Sequence, residues 1–148
     1  MNQTIPAESV IADGVVHAQH VAISQKCYHP TGEFIPLSPE DKQQTLLHRW
    51  SRIVRRFAMG PALEEGDRSV SYAAFNTLAN RIAHTILAHD VPKHLPIAAL
   101  FEAESDLQIG IIAIWKAGNF FVRLDPAQPL AHNQLVVEDS GAPIVVTN

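Results

Sequence analysis

The chain has 148 residues and carries 11 Lys and Arg against 15 Asp and Glu, a net charge of −4 with histidines neutral. That length suits one domain able to bury roughly two-thirds of its unfolded surface, and 47% hydrophobic with 18% charged residues reads as globular. A mildly acidic chain has no general attraction for phosphate backbones or anionic lipid, so neither a nucleic-acid nor a membrane partner is expected.

Cys27 is the only cysteine, so no internal disulfide can form and a reducing compartment is expected. No Lys or Arg precedes Lys26, and no apolar block follows Met1, which leaves no secretory signal to read. The longest apolar runs, 97–101 and 110–115, fall far short of the ~20 residues that cross a bilayer. A cytoplasmic location is expected.

Residues 1–37 read as a leader, weakly structured or holding one strand, because periodicity is poor and His29-Pro30-Thr31-Gly32 punctuates it. Residues 38–148 read as the structured part. Ser38-Pro39-Glu40-Asp41 starts a helix with a hydroxyl cap, a proline at its first position and early acids. Leu46, Leu47, Trp50, Ile53, Val54 and Phe57 continue that helix on one buried face, and Met59-Gly60-Pro61 stops it. Two strands, 62–64 and 68–71, fold back on each other around Gly66. Tyr72, Phe75, Leu78, Ala79, Ile82, Ala83 and Ile86 mark a second amphipathic helix capped by Ser71.

From Val91 the pattern alternates strand and helix. A continuous apolar run predicts a strand over 96–101, covered on both faces. Ser105-Asp106-Leu107-Gln108 matches a capping box opening a helix that turns Leu107, Ile111, Ile114 and Trp115 inward and stops at Gly118. A strand over 119–124, a rigid loop from Asp125 to Pro129, a helix over 130–139 and a strand over 143–147 follow. Strand, helix, strand, helix, strand implies an α/β fold with a parallel sheet, right-handed crossovers and flanking helices. Ligands of such sheets sit in loops beyond the carboxyl ends of the strands, and the loop expected after the last strand lies past Asn148.

Chemistry is sparse. The seven glycines, at 14, 32, 60, 66, 110, 118 and 141, are too far apart to write a phosphate loop or a dinucleotide fingerprint. His17 and His20 lack an acidic or thiol companion at metal spacing, His84 and His89 fall on different helix faces, and Cys27 has no histidine in a nucleophile pattern. No metal site is expected. Glu102 and Glu104 read as solvated acids before a helix N-terminus, with no base or nucleophile beside them. His89 and Lys116 favour the partial charges of helix C-termini, Asp125 is a turn residue, and Arg49, Arg52, Arg55 and Arg56 form a solvated helix face.

Two stretches are more specific. Val70-Ser71-Tyr72-Ala73-Ala74-Phe75-Asn76-Thr77-Leu78-Ala79-Asn80-Arg81-Ile82-Ala83 resembles the first core motif of adenylation domains, Leu-Thr/Ser-Tyr-x-Glu-Leu followed by Asn-x-x-Ala-Asn-Arg-x-Ala. Trp115-Lys116-Ala117-Gly118-Asn119-Phe120-Phe121-Val122-Arg123-Leu124-Asp125-Pro126-Ala127-Gln128-Pro129 resembles the second, Leu-Lys-Ala-Gly-x-Ala-Tyr-Val-Pro-Leu-Asp-Pro-x-Tyr-Pro. The tail from Val137 to Asn148 fits the continuation. Across roughly 38–148 the chain thus resembles the N-terminal part of a nonribosomal-peptide-synthetase adenylation domain, of the AMP-forming synthetase/ligase superfamily. Ala74, Arg123, Gln128 and His132 depart from the usual glutamate, proline, tyrosine and arginine.

The resemblance implies a parent enzyme in which a carboxylate attacks the α-phosphorus of ATP to give an acyl-adenylate and pyrophosphate, then a thioester on a carrier protein. ATP and Mg²⁺ are implied for that complete enzyme. Its phosphate loop, acyl pocket and C-terminal lysine lie after the second motif, so no catalytic, cofactor-binding or metal residue is carried onto this chain. Lys116, Gly118 and Asp125 match motif positions with a structural role. The expectation is a scaffold inactive alone, whose partners are the remainder of the adenylation domain or, through exposed apolar surface, itself. The alternative is a free-standing, non-catalytic interaction module descended from such a domain. An unrelated flavodoxin-type domain is disfavoured, since the loops at the strand ends lack phosphate-binding composition.

Overall fold

A computed structural model describes residues 38–148. The expectations placed on 1–37, including the single strand, His17, His20 and Cys27, lie outside these residues. Contacts divide the chain after Lys42, and residues 43–148 form one compact unit.

Ahead of that division stands α1 (Pro39–Lys42). Asp41 N donates to Ser38 Oγ at 3.1 Å, and Ser38 N donates back to Asp41 Oδ2 at 3.2 Å, which satisfies the free donors of the first turn. The expected single helix from Ser38 to Phe57 is not formed. Thr45 adopts an extended conformation and its Oγ1 accepts from His48 N at 3.2 Å, so a new helix, α2 (Leu46–Arg56), begins there. The hydroxyl competes with the helical backbone for that amide, which makes threonine a cap rather than an interior residue. Leu46 falls in the first turn and is 66% exposed instead of buried.

β1 (Pro61–Glu65) and β2 (Arg68–Ser71) pair antiparallel, with Glu65 opposite Arg68, and Gly66 at φ +57 supplies the tight turn. Ser71 caps α3 (Tyr72–Ala88), its Oγ accepting from Ala74 N at 3.2 Å.

The remaining elements are β3 (Pro96–Leu100), α4 (Glu104–Lys116), β4 (Phe120–Leu124), α5 (Leu130–Ser140) and β5 (Val145–Thr147). Each strand is one to two residues shorter than the apolar runs suggest. β3 is central, pairing parallel with β4 on one side and β5 on the other. The parallel α/β class is therefore as read from the sequence.

α4 is buried on two faces, and the sequence periodicity revealed only one. Leu107, Ile111 and Ile114 meet Ile97 and Ala99 of β3 and Phe101 just after it, with Phe121 and Val146 packed alongside. Ile109 and Ala113 meet Phe75, Ala79 and Ala83 of α3. Small side chains at 79, 83 and 113 let the two helices approach. Gly110 serves the sheet side: a Cβ there would stand 2.7 Å from the Phe101 ring.

Candidate functional site

The expected capping box at the start of α4 is not made. The N-cap is Ala103, with no side-chain cap of its own, and Gln108 Nε2 donates to Glu104 Oε1 at 3.1 Å instead of to backbone. The cap comes from the hairpin. Glu65 Oε1 accepts from Glu104 N at 3.2 Å, and Glu65 Oε2 accepts from Ser105 Oγ at 2.5 Å. A carboxylate placed there satisfies a free amide and complements the positive end of the helix. Arg68 completes the network, donating to Ser105 Oγ at 3.0 Å and to Asp106 Oδ1 at 2.7 Å. That bond to Asp106, and the charge behind it, hold the guanidinium more firmly protonated than usual. Glu102 is exposed, and Glu104 pairs with Arg123 at 3.0 Å on the surface. The hairpin contacts could not be read from local spacing.

At the opposite end of α4, Lys116 does more than offset its own helix terminus. Its Nζ donates to Asn76 Oδ1 at 2.9 Å and Asn80 Oδ1 at 2.8 Å, both on α3. Asn76 Oδ1 also accepts from Trp50 Nε1 at 3.0 Å, and the Trp50 ring stacks at a tilt on Phe75, 4.6 Å between centroids. Burial pushes the Lys116 ammonium below its ordinary pKa. The asparagines of the first motif and the lysine of the second are thus two halves of one polar clamp between α3 and α4. The spacing Asn76, Asn80 on a single helix face was a signal available in the sequence.

Gly118, at φ +86, ends α4 in the left-handed conformation, and a Cβ would stand 3.2 Å from the Lys93 side chain. Asp125 Oδ1 accepts from Ala127 N at 2.9 Å as a turn residue, and its carbonyl accepts from Asn133 Nδ2 at 2.8 Å, anchoring α5. His89 is the C-cap residue of α3 and His84 is exposed on the same helix. Arg52, Arg55 and Arg56 are exposed, Arg49 half-buried, and the Arg56 guanidinium lies 5.3 Å from the Phe57 ring centroid. Between Asn119 and its surroundings one mismatch stands out: both amide atoms are buried with no hydrogen-bond partner.

A groove of about 510 Å³ lies between the hairpin and α3, lined by residues that include Met59, Glu64, Val70, Ala74 and Leu78. Its lining has no cationic side chain, and Glu64 would repel a triphosphate. Among the described residues no group of three His, Cys, Asp or Glu is placed to hold a metal ion. The described lining of this groove does not fit ATP or Mg²⁺. No helix of the described residues is long and apolar enough to cross a membrane.

The described residues form a parallel α/β sheet backed by two helices that a polar clamp joins. The profile of the AMP-binding enzyme family matches residues 50–148, and the chain belongs to that family. It is 31% identical over 130 residues to one of the linear gramicidin synthase polypeptides of Brevibacillus parabrevis, covering 76% of this chain and 3% of that protein. Tyrocidine synthase 3 of the same organism is 29% identical over 153 residues, covering 93% and 2%. The N-terminal subdomain of Klebsiella oxytoca NpsA superposes with a TM-score of 0.64 at 20% identity, over 70% of this chain and 27% of that one. The nonribosomal peptide synthetase FmoA3 gives a TM-score of 0.67 at 22% identity, over 78% and 12%. The chain therefore spans a small fraction of every relative named here, and these likenesses in structure concern the fold.

Proposed function

We propose that this chain is the N-terminal scaffold portion, residues 38–148, of an adenylation domain that activates a carboxylic acid as its acyl-adenylate for transfer to a carrier protein. The observation that carries the reading is the Lys116 clamp. Lys116 of the second motif donates to Asn76 and Asn80 of the first, and among the described residues the groove beside the first motif is lined by no cationic side chain. Adenylate formation needs fixed positive charge around the transferring phosphorus, supplied by Mg²⁺, a phosphate-binding backbone loop and a lysine. Those parts belong to the rest of the domain, whose ATP, Mg²⁺ and carrier partner are attributes of the complete enzyme. A cytoplasmic setting accords with a single cysteine, Cys27.

The test is ATP–pyrophosphate exchange by purified 1–148 with a panel of amino and aryl acids. Exchange at the blank rate is expected. Acid-dependent exchange above blank overturns the scaffold reading.

A further inference from the structure

An ammonium has three N–H donors, and Lys116 uses two of them, on Asn76 Oδ1 at 2.9 Å and Asn80 Oδ1 at 2.8 Å. Among the described residues its third N–H has no partner. Both acceptors are neutral amide oxygens. Arg68 and Arg123 pair with carboxylates, at 2.7 and 3.0 Å, and Lys116 does not. A carboxylate would favour the charged form, whereas neutral acceptors in a half-buried setting leave the cost of burying the charge in force. That burial lowers the pKa of Lys116, so a larger share of it is free amine than for a solvated lysine.

Loss of one proton leaves both hydrogen bonds of the clamp in place. The NH₂ group keeps two N–H donors, for Asn76 and Asn80, and its lone pair occupies the third position. The bond to Asn80 lies at the surface, within reach of a reagent in solution. Two fixed hydrogens and one open lone pair make an oriented nucleophile, and that orientation is paid for by the fold. Lys42 and Lys93 are exposed and have no such pair of acceptors.

We propose that Lys116 is an acylation site, at which an acyl–phosphate mixed anhydride transfers its acyl group to Nζ. The lone pair attacks the acyl carbon and a C–N bond forms. The bond from that carbon to the phosphate oxygen breaks, the phosphate leaves with the electron pair, and the surplus proton on nitrogen passes to solvent. The product amide is uncharged and has one N–H, so one of the two asparagines loses its donor. Modification of this one nitrogen therefore loosens the joint between α3 and α4.

Incubation of 1–148 with acetyl phosphate, and separately with acetyl-adenylate, tests this, with each lysine followed by peptide mass spectrometry. Lys116 is expected to be acetylated about threefold or more faster than Lys42 and Lys93. The preference is expected to vanish in urea, where the clamp is gone. Asn80→Asp keeps an acceptor at the same place and adds a negative charge, which holds the amine as ammonium and lowers the Lys116 rate by a similar factor in a chain that still folds. A preference with one reagent supports the site and names its source, and a preference with both supports it through the anhydride they share. Acetylation of Lys116 no faster than that of Lys42 and Lys93 with both reagents overturns the proposal, as does a preference that survives urea or Asn80→Asp.

Discussion

Replacing Lys116 by methionine keeps the length and apolar stem of the side chain and removes only the ammonium. Two hydrogen bonds are lost, to Asn76 Oδ1 at 2.9 Å and Asn80 Oδ1 at 2.8 Å, while Asn76 keeps its bond from Trp50. Hydrogen bonds from a charged donor contribute about 1.5–3 kcal/mol each when well buried. Lys116 is only partly buried and pays desolvation, which lowers its pKa, so the net loss is about 1–2 kcal/mol. For a unit of this size that lowers Tm by roughly 4–12 °C. The assay is thermal and urea unfolding of 1–148, with a double-mutant cycle between Lys116→Met and Asn80→Ala. A coupling energy of about 0.5–1 kcal/mol is expected, and a coupling of zero would refute the clamp. The pH dependence has a definite sign. With the folded pKa below the unfolded value, the penalty for burying the charge is fully present below the folded pKa. It is relieved as pH rises through that value toward the unfolded one. The stability gap between native chain and Lys116→Met therefore widens across that alkaline window.

Three further outcomes are expected. Glu65→Ala removes the carboxylate that caps α4 from the hairpin and costs about 1–2 kcal/mol in urea unfolding; an unchanged midpoint would show that solvent caps the helix equally well. Asn119→Ala deletes two buried unpaired polar atoms and raises stability by about 1 kcal/mol; destabilisation would mean the amide has a partner in solution. Gly110→Ala sets a methyl 2.7 Å from the buried Phe101 ring and costs about 1–2 kcal/mol despite the better helix propensity of alanine; a gain would show that the ring moves freely.

The parallel strand–helix alternation from β3 to β5 was legible because each element carries its own local signal: an apolar run, a glycine stop at Gly118, a turn at Asp125. The start of α4 was misread because Ser105 and Gln108 have capping-box spacing, while the group that caps the helix is Glu65, about forty positions earlier in the chain. The break at Thr45 was masked by apolar residues that keep helical spacing on both sides of it. Periodicity showed the sheet-facing stripe of α4 but not its second face, since Ile109 and Ala113 are buried only because α3 lies there. The candidate site followed the same rule: Lys116 was identified by motif, and its role appeared only when Asn76 and Asn80 were seen across the helix pair.

Titration of Mg²⁺–ATP into 1–148 by calorimetry tests the account most directly. A chain that supplies framework alone gives no saturable heat up to millimolar nucleotide. A stoichiometric, saturable isotherm would contradict it, because the groups that neutralise a triphosphate would then reside in these residues.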